Sequence, residues 1–347
     1  MAGMLETKRQ QIVDDSGRTV RLFGVSWFGL ETPALAPSGL EHRAARDMFR
    51  QIRDLGFNLV RLPFCNQLFD EGNVSTNIDL SLNPELRNAQ GVQLLDELVT
   101  MAADSGLMVL LDRHRASAGY GPEAAGFWYT PDYSEDRWIA DWQMLARRYI
   151  GVPAVIGADL HNEPHGSAAW FHSNPMRNWS GAARRCGNAI LAENPDWLIV
   201  VEGVQQTPID QYYWWGGNLC MASDHPVKLR VDNRLVYSPH DYPQSIYAQE
   251  WFKHPKYPRN LPRVWDDFWG YLHHTRVAAI LLGEFGSRLV EMMDIGWAET
   301  MVAYLKRYQM SWVWWAWNPD SHDTGGILDD DWRTPNRAKM ELLRKAM

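Results

Sequence analysis

Ala154-Val-Ile-Gly-Ala-Asp-Leu-His-Asn-Glu-Pro-His165 opens as a short run of small apolar residues and ends in a burst of polar ones. Pro153 and Pro164 bound it, so it reads as a buried strand that turns hydrophilic at its C-terminal end. Parallel α/β proteins place their chemistry at that end of a strand. A second stretch, Ala279-Ile-Leu-Leu-Gly-Glu-Phe-Gly286, has the same form: apolar, then one glutamate. Working outward, strand-like runs are expected at Leu22–Phe28, Phe57–Pro63, Leu107–Asp112, Ala154–His161, Leu198–Glu202, Leu235–His240, Ala279–Glu284 and Ser311–Trp317. Segments of helical period lie between them, among them Ala44–Leu55, Gly91–Ser105, Glu135–Tyr149, Trp179–Glu193, Trp297–Tyr308 and Thr334–Lys345.

Eight strands alternating with helices over this length predict an α/β fold of the (β/α)₈ TIM-barrel type. One domain is expected over residues 1–347. Around Asp14-Asp-Ser-Gly17, two short alternating runs predict an N-terminal β-hairpin over about residues 10–22, closing the barrel bottom, with the barrel over 22–347. Arg61, His114, Asn162, Glu163, Glu202, His240, Glu284 and Trp317 all fall at or just after the end of an expected strand. That is the face where barrels of this type assemble a site.

The composition, 46% hydrophobic and 22% charged, describes a chain with a sizeable core. A formal net charge of −8 argues against a nucleic-acid partner, which calls for a basic surface. No run is long and apolar enough for a membrane span, and the first residues lack the apolar run of a secretory signal. Cys65, Cys186 and Cys220 follow no metal-binding or framework spacing and allow at most one disulfide. The 18 tryptophans suggest, beyond core packing, flat surfaces on which sugar rings could stack.

Glu163 and Glu284, on the fourth and seventh expected strands, would face each other across the barrel mouth. Cleaving a glycosidic bond needs one carboxylic acid to protonate the leaving oxygen and one carboxylate to attack, or to activate water. A lone glutamate at a strand end more often caps a helix or pairs with an arginine. Two of them beside other inward polar groups favour chemistry. His161 and His165 have the i, i+4 spacing of a helical zinc pair, but they straddle a strand end and a proline and so should point apart. No metal and no cofactor is expected.

The motifs Leu160-His-Asn-Glu-Pro164 and Leu282-Gly-Glu-Phe-Gly286 resemble glycoside hydrolase family 5, the cellulase family A. Asn58-Leu-Val-Arg-Leu-Pro63, Leu111-Asp-Arg-His-Arg115, Tyr237-Ser-Pro-His-Asp-Tyr242 and Trp314-Trp-Ala-Trp-Asn-Pro-Asp320 extend the resemblance over nearly the whole chain. It is closest to the family's bacterial endo-β-1,4-glucanases, whose loop segments recur as Tyr213–Asn218 and Asp323–Leu328. The resemblance implies Glu163 as acid/base and Glu284 as nucleophile, hence a retaining double displacement with carboxyl groups roughly 5–5.5 Å apart. It also implies that Asn162 contacts the sugar 2-OH, that Arg61 and Tyr242 orient Glu284, and that His114 and His240 stand at the reacting sugar. Trp317 would be the platform under that ring, and Trp214, Trp215 and Tyr247 would line flanking subsites. Glu202 reads as a support behind these groups, while Trp312, Trp314 and Trp315 read as core or outer wall.

The implied substrate is a β-1,4-glucan, with β-mannanase, licheninase or transglycosylase activity as the alternatives. A non-catalytic sugar-binding barrel would be free to lose either glutamate, and both are present. Relatives carry cysteines where this chain has Arg115-Ala-Ser-Ala-Gly119 and Gly166-Ser-Ala-Ala-Trp170, and a tryptophan where it has Glu41. The resemblance implies extracellular action, with a cytoplasmic location as the alternative because no signal is visible; a monomer is expected, acting on polysaccharide and on neither nucleic acid nor membrane.

Overall fold

The Val/Ile/Leu-rich runs become strands because a parallel sheet covered on both faces can bury such residues on either side. The computed structural model describes residues 4–207 and 211–347. After β1 (Leu5–Lys8) and β2 (Gln11–Asp14) come the barrel strands: β3 (Phe23–Ser26), β4 (Leu59–Cys65), β5 (Met108–Arg115), β6 (Val155–Asp159), β7 (Leu198–Glu202), β8 (Leu235–Ser238), β9 (Ala279–Phe285) and β10 (Ser311–Trp314). They pair in parallel in sequence order, and β10 closes the barrel on β3, with Trp312 opposite Phe23. Every residue of β4, β6, β7, β9 and β10 is buried.

The helices are α1 (Ala45–Asp54), α2 (Val92–Asp104), α3 (Glu135–Arg148), α4 (Trp179–Glu193), α5 (Leu261–Trp265), α6 (Tyr271–His274), α7 (Met292–Tyr308) and α8 (Arg337–Leu343). In α3 the Ser134 hydroxyl accepts from the Arg137 N–H, Glu135 and Asp136 occupy the first turn, and Arg147 and Arg148 the last. Each placement complements the helix dipole or its free N–H groups. The α5–α6 segment is joined by a π-helical turn (Asp266–Gly270) and lies outside the helices expected from periodicity. The irregular turn breaks the 3.6-residue pattern there.

Two apolar layers form. One lies between sheet and helices, and twelve of the 18 tryptophans are fully buried, so the tryptophan count is mainly a property of packing. Three of these indoles dock helices onto strand tips: Trp138 and Trp142 Nε1 donate to the Leu160 carbonyl at 2.9 and 3.1 Å, and Trp179 Nε1 to that of Glu202 at 2.8 Å. The other layer fills the lower lumen with Leu59, Leu110, Ile156, Leu198, Val200, Val236, Leu281 and Val313, capped by Leu5, Ile12 and Leu22.

The N-terminal hairpin is present, with its ladder between β1 and β2. The expected turn also forms, Gly17 donating to the Asp14 carbonyl, but the pairing across it stays short: a Val13–Thr19 bridge, with Asp14 N–H donating to Arg18 and Val20 N–H to Ile12. Asp14 explains this: its carboxylate accepts from the N–H groups of Ser16 and Arg18 and closes a tight local loop. All three cysteines are free thiols.

Candidate active site

Arg61, fully buried on β4, stands at the centre of the upper lumen. Its Nη1 donates to Glu284 Oε1 at 2.5 Å, Nε to Asp159 Oδ2 at 2.9 Å, and Nη2 to Asn162 Oδ1 at 2.9 Å and Glu202 Oε1 at 3.2 Å. Asp112 Oδ2 lies a further 3.2 Å from Nη2. Burial works against the guanidinium charge, but Asp112, Asp159, Glu284 and Glu202 more than offset it and hold Arg61 above the ordinary arginine range. Burial pushes Asp112 and Asp159 up to about 7, and Glu202 well above the carboxylate range.

Glu284, in β9, accepts from Arg61 on one oxygen and from the Tyr242 hydroxyl, at 2.7 Å, on the other. Burial raises its pKa, but His240 and Arg61 together with the tyrosine bond leave it below the ordinary glutamate value. Glu163 follows β6 with φ +53°, a left-handed conformation that costs a non-glycine residue about 1–3 kcal/mol and persists only when its surroundings fix it. Its backbone N–H donates to Glu202 Oε2 at 2.7 Å, and its Oε1 lies 3.1 Å from His240 Nδ1. Burial first, then the nearby Glu284 charge, raises its pKa despite His240. The two glutamates therefore sit side by side with opposite proton affinities.

His240 Nε2 is 3.2 Å from Glu202, and Glu202, Glu284 and Glu163 overcome burial to hold its ring charged. His114 is the reverse. Burial takes it down to about 3, so its Nδ1–H donates to Asp112 at 2.7 Å and Nε2 is left to face the Asn162 amide at 3.4 Å. One ligand atom each of Glu163, His240 and Glu284 lies within 4.8 Å of the others, and the same holds for Asp112, Asp159 and Glu202. In both groups protein cations, His240 and Arg61, supply the positive charge a metal would bring. Nearest carboxylate oxygens within 4.8 Å fit the closer of the two spacings found in glycosidases, that of the retaining ones.

A family model for Cellulase (glycosyl hydrolase family 5) matches residues 13–321. The chain belongs to glycosyl hydrolase family 5. Of the curated relatives of this family 5 enzyme, an endoglucanase of Paenibacillus polymyxa is 46% identical over 99% of the chain and 87% of the relative. The major extracellular endoglucanase of Xanthomonas campestris pv. campestris is 41% identical over 96% of the chain and 69% of that protein. Among solved structures, a cellotetraose complex of an endocellulase from Pyrococcus horikoshii superposes with a TM-score of 0.92 at 38% identity, covering 100% of this chain and 99% of the other.

The aromatic residues divide differently from expectation. Trp317 is fully buried, so it presents no face to a sugar, which corrects its reading as the platform. β10 ends at Trp314, so alternation cannot be carried on to residue 317. Trp315, assigned to the wall, is instead half-buried and stacks on His114 (5.3 Å, 12°) and on Phe28 (5.4 Å, 11°). Trp312 and Trp314 are core, as read. Trp214 is buried edge-on to Tyr242 and Tyr247, while Trp215 and Tyr247 are 40% and 66% exposed. Buried Asp241 ties the segment of Trp214 to that of Tyr242, accepting from the Tyr213 hydroxyl and from Trp265 and Trp297 Nε1.

Of the two histidines weighed as a metal pair, His161 is buried with Nδ1 2.7 Å from Arg113, while His165 stacks on Trp215. Asp112 and Asp159 were not singled out from sequence. Their signal was available: they are opposite one another in register on adjacent strands with no polar neighbour below them. An acid at one level of two neighbouring buried strands demands a cation, and Arg61 is it.

Proposed function

We propose that the family 5 enzyme is an endo-acting β-1,4-glucanase that cleaves by double displacement with retention, Glu284 attacking and Glu163 serving as acid, then base. What carries this reading is the pair of carboxylates within 4.8 Å whose environments drive their proton affinities apart. Arg61 and Tyr242 keep Glu284 anionic and aim it; its attack on the anomeric carbon forms a glycosyl-enzyme. Glu163 gives its proton to the departing oxygen, then takes one from the water that releases the sugar. Asn162, held by Arg61, is positioned for the 2-OH, and His114 and His240 flank the reacting ring. Trp315 replaces Trp317 as the platform under it, and Trp214, Trp215 and Tyr247 line the neighbouring sugars. The endoglucanase names of the relatives support a glucan substrate. An insoluble polymer must be met outside the cell, and the name of the Xanthomonas relative supports an extracellular role. The enzyme is expected to act as a monomer.

The test is product analysis on carboxymethyl-cellulose, barley β-glucan and mannan, beside Glu163→Gln and Glu284→Gln. Rapid viscosity loss on the glucans, abolished by Glu284→Gln and cut by about 10²–10⁴-fold in Glu163→Gln, is expected. A preference for mannan would move the substrate and leave the chemistry in place.

A further inference from the structure

His165, two residues beyond Glu163, has no role in the chemistry above, yet its buried ring makes two specific contacts. It lies flat on Trp215, ring centroids 3.8 Å apart and planes 8° apart. Its Nδ1 is 2.7 Å from the carbonyl oxygen of Glu163, which can only accept, so Nδ1–H is the donor. Gly126 braces it from behind: the His165 N–H donates to the Gly126 carbonyl, and a Cβ at position 126 would fall 2.4 Å from the His165 oxygen. Trp215 is the one exposed tryptophan among the described residues, and with one face covered by His165 it offers only the other. The next residue, Gly216, lies against Glu163, where a Cβ would come 3.2 Å from the Glu163 Cα. Through Gly216, Trp215 is thus tied to the backbone of the group that protonates the leaving oxygen.

We propose that His165 is a positioning residue for the leaving-group half of the site, one ring that sets both the plane of Trp215 and the backbone of Glu163. The leaving sugar then stacks and receives its proton in one geometry. This rests on the acid/base reading of Glu163. The two contacts separate by substitution: His165→Phe keeps a flat ring and loses the N–H, whereas His165→Asn keeps a donor of similar reach and loses the ring.

The experiment compares both variants with wild type on cellotetraose and on dinitrophenyl β-cellobioside, whose leaving group needs no proton and offers no sugar to Trp215. His165→Phe should lower kcat on cellotetraose by about tenfold with little change in KM, and displace the alkaline limb of its pH profile. His165→Asn should raise KM by about fivefold, the worth of one aromatic stack, with the pH profile kept. Both should hold kcat/KM on the dinitrophenyl substrate within about twofold of wild type. Equal losses on the two substrates would reduce His165 to a structural residue and overturn the proposal, as would unchanged cellotetraose kinetics in both variants. Wild-type turnover of cellotetraose by Glu163→Gln would overturn the acid/base reading itself, and this proposal with it.

Discussion

The lower and upper halves of the barrel lumen are built by the same strands and have opposite chemistry. Below, Leu59, Leu110, Leu198, Val200 and Val236 form an apolar layer that the hairpin's Leu5 and Ile12 cap. Above, within one or two pleats, the same strands present Arg61, Asp112, His114 and Glu202, with His240 just past the end of β8. The lower half stabilises by excluding water. The upper half gathers buried charges that would each be costly alone and are tolerable only because every one has a partner. Stability and reactivity are thus stacked along one axis, and substitutions should separate them.

The largest effect belongs above. Glu284→Gln should lower kcat/KM on β-glucan by at least about 10⁴-fold, with the thermal midpoint close to wild type. Activity within a hundredfold of wild type would place the nucleophile elsewhere. Next comes Arg61→Met, which strands Asp112, Asp159, Glu202 and Glu284 without their shared cation. It should cost about 3–5 kcal/mol in a denaturant titration as well as activity, so here the two halves cease to be independent. Leu110→Ala, two residues below Asp112, should cost about 2–5 kcal/mol in the same titration. At temperatures where that variant is folded, KM and pH profile should match wild type; a changed profile would mean that the floor reaches the site.

The smallest effect sharpens the upper half alone. As the proposed nucleophile Glu284 has to be ionised, so its lowered pKa should set an acid limb below the ordinary glutamate range. As the proposed acid Glu163 has to hold its proton, so its raised pKa should carry the alkaline limb upward. Tyr242→Phe removes a donor from the ionised Glu284 and should shift the acid limb up by roughly one pH unit, leaving the alkaline limb in place. A shift of the alkaline limb instead would exchange the two carboxylates' roles.

The barrel was legible because buried parallel strands leave a pattern that needs no partner to be seen: apolar runs that stop at a charge. Glu163, Glu284, Asn162, His114 and His240 could be picked out for the same reason, each lying at or near such a stop, and Arg61 as a charge set inside the apolar run of β4. The structure gathers all of them into one cluster around Arg61. What the pattern missed depends on tertiary packing. Trp315 and Trp317 are two apart, and which one faces the mouth is decided by where β10 ends. The α5–α6 helix hides behind a π-helical turn, and the left-handed backbone of Glu163, which sets its aim, has no signature in residue type.

The seam between β10 and β3 bears on how the chain is made. Residue 23 waits for residue 312 before its second neighbour exists. At ~5–20 residues per second, roughly 15–60 s separate the synthesis of the two edges. Through that interval both edges of the growing sheet are open templates for pairing with another chain. Folding yield, more than final stability, should therefore depend on keeping the nascent chain shielded until its last strand arrives.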